Sequence, residues 1–249
     1  MRRADLAGRR VAVWGIGREG RAATRTAVDA GAADVVALVD GEPPVATIEA
    51  GGAEVPVVRA DQADRAGDAD VVLLSPGVSR YRPEVLALEA GGVHVTNGTE
   101  LYLAEQGART VAVTGSKGKS TVTRLAAHLL AAAGRDAVAA GNIGAALLDV
   151  LPELPGDPGA GPVVVAEVSS YQAALVSSPA RLAVLTSLFP DHLPWHGGVE
   201  RYYADKLRLL RTADAALVNA ADPGVRAVLE GVDGNPAVAF GSPEARVRV

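Results

Sequence analysis

Short runs of valine, alanine and leucine recur along this chain, each ending in a glycine-rich or polar turn and leading into a longer segment with apolar residues three to four apart. Runs of that length predict buried strands at residues 10–14, 34–39, 70–74 and 93–95, with an alanine-rich helix over about 21–30. A new series opens at 110–114 and continues at 136–140, 163–168, 181–186, 215–219 and 236–240. Near-continuous apolar strands, as opposed to alternating ones, belong to parallel sheets covered on both faces. The pattern therefore predicts an α/β protein with two domains, 1–105 and 106–249, joined by a polar hinge at 104–109. Residues 61–69 read as a short helix plus loop. Residues 151–162 hold four prolines and three glycines and read as an exposed connection.

At 249 residues the chain is long enough for two cores of ordinary size. Its 29 acidic residues outnumber its 24 basic ones, for a net charge of −5, which argues against nucleic acid or an anionic membrane as the main partner. Any phosphate binding must then be local. Cysteine is absent, so no disulfide framework or thiolate metal site exists. Met1-Arg2-Arg3 leads into Ala4-Asp5-Leu6-Ala7-Gly8 and not into an apolar signal segment, and no apolar run approaches the roughly 20 residues of a membrane span. The expectation is a cytoplasmic protein.

Two glycine loops carry the candidate chemistry. In Gly115-Ser116-Lys117-Gly118-Lys119-Ser120-Thr121, placed between a strand and an amphipathic helix, glycines let backbone N–H groups converge on an anion at the positive end of the helix dipole. Lys119 is expected to reach the β- and γ-phosphates of ATP, and Ser120 to ligate Mg²⁺. Val113 stands where the general phosphate-loop pattern has glycine, so the motif is a shortened variant. A turn with a surface lysine explains the glycines but not a Gly-Lys-Ser-Thr run at this junction. The first loop, Gly15-Ile16-Gly17-Arg18-Glu19-Gly20, has the dinucleotide-binding spacing, and Asp40 follows about twenty residues on, where a ribose-binding acid stands. Tight strand-to-helix packing accounts for these glycines equally well.

Further clusters follow the strands: Ser75-Pro76-Gly77, Gly141-Asn142-Ile143-Gly144, Glu167-Val168-Ser169-Ser170-Tyr171-Gln172, Phe189-Pro190-Asp191-His192 and Tyr203-Ala204-Asp205-Lys206. Strand C-termini are where open α/β sheets bind ligands. Glu167 with Ser120 and phosphate oxygens forms a donor set that suits Mg²⁺. His192, beside a Pro-Asp turn, reads first as a hydrogen-bonding loop residue. Lys206 reads by spacing alone as a solvated helix lysine.

The order of these motifs closely resembles the Mur ligase family: VTGSKGKST, AGNIG, EVSSYQ, PDH and YYADKLRL follow one another at family-like intervals, and WGIGREG and SPGV resemble its UDP-binding domain. The resemblance covers the chain from Val11 onward. It implies a Rossmann-like domain over 1–105 and a phosphate-loop ATP-binding domain over 106–249. It also implies ATP-dependent amide ligation in peptidoglycan precursor synthesis, with glutamate added to UDP-N-acetylmuramoyl-L-alanine through an acyl phosphate. Lys119 and residues 115–121 would serve ATP; Ser120, Glu167, His192 and Lys206, the last as a carbamate, would hold metal; Asn142 would lie near the reacting substrate. Gly15, Gly17, Gly20, Asp40, Ser75 and Gly77 would frame the UDP part. Lys117 stands where the family usually has asparagine. The family also has a C-terminal glutamate-binding domain, which is expected to be absent from these residues, with 106–249 an incomplete central domain. A nicotinamide-dependent dehydrogenase, a folate-polyglutamate type of ligase and a non-catalytic binding module remain open alternatives.

Overall fold

The computed structural model describes residues 1–62, 68–157, 159–219, 221–222, 225 and 237–240. The chain forms two compact units, Met1–Tyr102 and Leu103–Val249.

In the first unit β1 (Arg10–Trp14) pairs on one side with β2 (Asp34–Val39), with α1 (Arg18–Asp29) connecting β1 to β2. Beyond β2 come β3 (Thr47–Ala50) and β4 (Ala53–Arg59), and on the other side β5 (Val71–Leu74) and β6 (His94–Thr96), giving the order β3-β4-β2-β1-β5-β6. All pairings are parallel except β3 with β4. Val11 to Trp14 and Val71 to Leu74 are buried throughout, which is why their sequences show no alternation. The β3–β4 hairpin, by contrast, was not among the expected strands. Its Ile48, Ala50, Val55 and Val57 face the core while Thr47 and Glu49 face out. Gly51 and Gly52, both at positive φ, close the two-residue turn as hairpin twist requires. Helix α1 begins at Arg18, about three residues before the expected start, so the glycine loop runs directly into its first turn. α2 (Pro83–Ala90) precedes β6.

The polar hinge expected at 104–109 is not a loop. The chain passes from one unit to the next inside α3 (Gly98–Gln106), and a 3-10 helix, Gly107–Arg109, follows at once. Gly107 and Arg109 are buried, because Gly107 packs against the Pro179 carbonyl and the Arg109 guanidinium donates to the carbonyls of Pro155 (2.8 Å) and Asp157. Among the described residues of 151–162 nearly all are exposed, as expected of a connection; Leu151 alone is buried, in the 3-10 helix Leu151–Glu153, and Arg109 anchors the bend beyond it.

The second unit is built on β7 (Thr110–Thr114), which α4 (Lys119–Ala132) follows; then come β8 (Ala137–Gly141), α5 (Leu147–Val150), β9 (Val163–Glu167), α6 (Ser170–Ala173) and β10 (Leu182–Leu185). Next are α7 (Leu193–His196), α8 (Val199–Thr212), β11 (Ala216–Asn219) and β12 (Ala237–Phe240). The sheet order is β12-β11-β10-β7-β9-β8, with every pairing parallel. Central β7 delivers the phosphate loop to the C-terminal edge, and its neighbours β9 and β10 deliver Glu167 and the 186–192 segment to the same edge. Pro236 and residues 63–67, where part of the expected last strand and the expected short helix fall, lie outside the described residues. Among the described residues no helix is long and apolar enough to cross a membrane.

Candidate active site

The phosphate loop is held from below. Ser116 donates its backbone N–H to the Ser187 carbonyl (2.9 Å), and its hydroxyl donates to the Phe189 carbonyl (2.7 Å) and accepts from the Phe189 N–H (3.0 Å). With that proton committed, the Tyr202 hydroxyl, 2.8 Å away, is the donor of their shared bond. Ser116, expected to touch ATP, is thus buried with its hydroxyl turned to the protein. Thr186 Oγ1 donates to the Lys117 carbonyl (2.6 Å), and the Lys117 N–H donates to Ser187 Oγ (2.9 Å). Gly118, in the left-handed region, caps α4. Ser120 and Thr121 stand in the first turn of the helix, whose leading N–H groups have no intrahelical acceptor.

Lys119 is half-buried and folds back on its own loop, donating to the carbonyls of Gly115 (3.0 Å) and Ser116 (3.2 Å). Burial lowers its pKa, opposed by the Glu167 charge and helped by Lys117. Lys117 is exposed and pairs with Asp191 at 3.4 Å. Lys206, far from being a solvated helix lysine, is 2% exposed. Its ammonium donates to the Gly115 carbonyl at 2.9 Å and lies 5.0 Å from the Tyr202 ring centroid. Burial, with the Lys119 charge adding to it and Asp191 opposing, brings the Lys206 pKa down to about 7.

Glu167 ends β9 at 1% exposure. Its Oε1 accepts from Asn142 Nδ2 at 2.7 Å, while Oε2 is buried without a hydrogen-bond partner. A buried carboxylate oxygen left unpaired is costly and suits a cation. His192 sits in the left-handed region at φ 53 and is exposed, with Nε2 3.5 Å from Asp191 and its ring 5.2 Å from that of Tyr171. Among the described residues no three His, Cys, Asp or Glu side chains form a ready metal cage. A cavity of about 120 Å³ is walled by Gly115, Lys119, Asn142, Tyr171, His192 and Lys206, so residues from five separate motifs meet there.

One group escaped the sequence. His196 Nδ1 lies 2.6 Å from Asp205 Oδ2, and its Nε2 lies 2.9 Å from Ser170 Oγ, with all three residues buried. Asp205 and Ser170 fall within motifs already singled out, but His196 lies outside them and only the fold joins the three.

In the first unit Gly15 and Gly20 pack against each other. A Cβ on Gly20 would overlap the Gly15 carbonyl, whose oxygen accepts from Ser75 Oγ at 3.0 Å. Gly17 and Gly77 face open space, where a ligand can approach the backbone. Asp40 at the end of β2 accepts from Trp14 Nε1 (3.3 Å) and from Arg82 Nη1 (2.7 Å), and the Arg82 guanidinium lies 4.8 Å from the Trp14 ring centroid. These side chains line a cavity of about 390 Å³ together with Gly41, Asp61 and Glu84. Trp14 and Arg82 were not expected site residues. Trp14 is one of only two tryptophans and closes the strand before the glycine loop, which was the available signal.

Residues 113–246 match the family model described as the Mur ligase middle domain. A protein named UDP-N-acetylmuramoyl-L-alanine–L-glutamate ligase from Salinispora tropica is 46% identical over 248 residues, covering 98% of this chain and 53% of its own. The protein of the same name from Xylella fastidiosa is 44% identical, covering 90% of this chain and 49% of its own. The chain spans about half the length of the curated relatives it matches. Among solved structures, the UDP-N-acetylmuramate:L-alanyl-gamma-D-glutamyl-meso-diaminopimelate ligase from Neisseria meningitides aligns with a TM-score of 0.58 at 20% identity, covering 95% of this chain and 79% of that one. A murein peptide ligase from Psychrobacter arcticus aligns at 0.52 and 18%, covering 94% and 53%. These two likenesses speak for the fold.

Proposed function

The chain belongs to the Mur ligase family, and from that premise we propose that it serves ATP-dependent amide ligation in peptidoglycan precursor synthesis, joining L-glutamate to UDP-N-acetylmuramoyl-L-alanine in the cytoplasm. The observation that carries the reading is the meeting of Lys119 and Lys206 on one carbonyl, that of Gly115, in a cavity that Asn142 and His192 also line. Lys119, at the positive end of α4, is the cation that receives a polyphosphate, and Lys206 beside it is a buried amine open to carbamate formation. The names of the relatives support L-glutamate as the amino acid.

In this reading residues 106–249 bind ATP and residues 1–105 bind the UDP part. Lys119 leaves Gly115 and Ser116 for the β- and γ-phosphates, and the first-turn N–H groups of α4 cradle them. The substrate carboxylate takes the γ-phosphoryl group to give an acyl phosphate, and the glutamate amine displaces phosphate to form the amide, so no protein nucleophile is consumed. Asn142 orients the acyl substrate while holding Glu167. Glu167, with its unpaired oxygen, Ser120, His192 and a carbamate on Lys206 would hold Mg²⁺, an oxygen-rich set with one imidazole. When bound, Mg²⁺ supplies charge neutralisation for the transferring phosphoryl group. Gly15, Gly17, Gly20, Ser75 and Gly77 present backbone to the diphosphate, and Asp40 with Trp14 and Arg82 receives the nucleoside.

Amide NMR tests both halves. UDP-N-acetylmuramoyl-L-alanine is expected to shift Gly15 to Gly20, and ATP with Mg²⁺ to shift Gly115 to Thr121, with NAD shifting neither. A response at Gly15 to Gly20 to NAD in place of the UDP substrate would replace the ligase reading with a dehydrogenase one.

A further inference from the structure

The buried Asp205–His196–Ser170 chain has the residue types of a hydrolytic triad but not its setting. His196 is 0%, Asp205 1% and Ser170 3% exposed, so no carbonyl substrate reaches the serine from solvent. The imidazole bridges the other two, its Nδ1 on the Asp205 carboxylate and its Nε2 on the Ser170 hydroxyl. The three side chains come from three elements: Ser170 opens α6, His196 closes α7 and Asp205 lies in the middle of α8.

Asp205 immediately precedes Lys206. On one face of α8, Tyr202, Asp205 and Lys206 stand at i, i+3 and i+4 and make three anchors. Tyr202 binds Ser116 and Lys206 binds Gly115, both in the phosphate loop. Of the three hydrogen bonds, that of Asp205 ends on a frame outside that loop, and the Tyr202 ring packs edge-on against the same His196 with centroids 5.2 Å apart. A roll of α8 by about 20° carries a side-chain tip at the ~5–6 Å helix radius through roughly 2 Å, enough to break the bond to Gly115.

We propose that Asp205, His196 and Ser170 are positioning residues that fix the roll of α8 and so hold the Lys206 amine at the phosphate loop when the loop itself rearranges around a nucleotide. The importance of Lys206 rests on the ligase reading above; its positioning does not, and the two are tested apart.

The experiment is amine acetylation of the intact chain in carbon-dioxide-free buffer, followed by mass spectrometry, with Lys119 and Lys117 as internal references. Asp205→Ala is expected to raise the labelling rate of Lys206 relative to Lys119 about 10-fold, while Asp205→Asn, whose side-chain amide still bonds the imidazole Nδ1, returns it to within about 2-fold. Should Asp205→Ala not fold, Ser170→Ala, which deletes a single hydroxyl, is expected to raise the ratio about 3-fold. A folded variant with an unchanged Lys206 ratio, or with Lys206 and Lys119 rising together, overturns the proposal. Carbamate formation, read separately as a ¹³C signal after adding labelled bicarbonate, tests the ligase reading without bearing on this one.

Discussion

The Lys206 ammonium donates to the Gly115 carbonyl at 2.9 Å across 91 positions of sequence, and the same oxygen accepts from Lys119 at 3.0 Å. A carbonyl oxygen has two lone pairs and can accept both donors, so this one atom brings together two amines from distant parts of the sequence.

The buried lysine makes stability depend on pH. Its pKa is about 7 in the folded chain and 10.5 as the reference value, so between those limits the unfolded state binds more protons. Stability from this group therefore rises with pH from 7 to 10.5 and is flat below 7, with a slope of at most about 1.4 kcal/mol per pH unit. Urea unfolding of Lys206→Met is expected to lose that rise between pH 7 and 10; an identical slope in both proteins would remove Lys206 as its source.

Replacing Lys119 with alanine removes the cation that the ligase reading assigns to the γ-phosphate. ATP–Mg²⁺ affinity is expected to fall 10-fold or more, on the order of the 1.5–3 kcal/mol of a hydrogen bond to a charged group. Calorimetry showing unchanged affinity would take Lys119 out of the site. Lys117→Ala, losing only an exposed partner of Asp191, is expected to change affinity by less than about 3-fold.

Glu167→Gln keeps an oxygen for Asn142 and deletes the charge behind the unpaired buried oxygen. ATP affinity is expected to fall about 10-fold with Mg²⁺ present and to change by less than about 2-fold in EDTA. Equal losses with and without the metal would mean that Glu167 serves the nucleotide or the fold, not Mg²⁺.

Two glycines are expected to be intolerant for separate reasons. A Cβ on Gly20 meets the Gly15 backbone carbonyl, and one on Gly115, at φ 147, meets Thr186 Oγ1 and comes within 3.0 Å of the Ser187 nitrogen. Each alanine variant is expected to lose about 1–3 kcal/mol of stability by denaturant titration, whereas Gly17→Ala, with open space around its Cβ position, is expected to lose less than about 1 kcal/mol. A neutral Gly20→Ala would show that the α1 entry yields more readily than the packing indicates.

What the sequence determined on its own was whatever depends on near neighbours. Strand runs such as 10–14 and 110–114, the glycine loops and the first turn of α4 were readable because hydrophobic burial and backbone freedom leave local periodicities. The Gly51-Gly52 hairpin was equally local and was missed. Tertiary structure decided the rest. The spacing of Lys206 matched any surface helix lysine, and only the sheet order that sets β7 between β9 and β10 brings α8 over the phosphate loop and strips the amine of water. Arg109 looked like a hinge residue until two carbonyls some 46 to 48 residues away claimed its guanidinium. His196 carried no sequence signal because its partners stand 26 residues before it and nine after. Charge, pKa and metal affinity depend on desolvation and on distances of a few ångströms between remote positions, and those are fixed only when the chain packs.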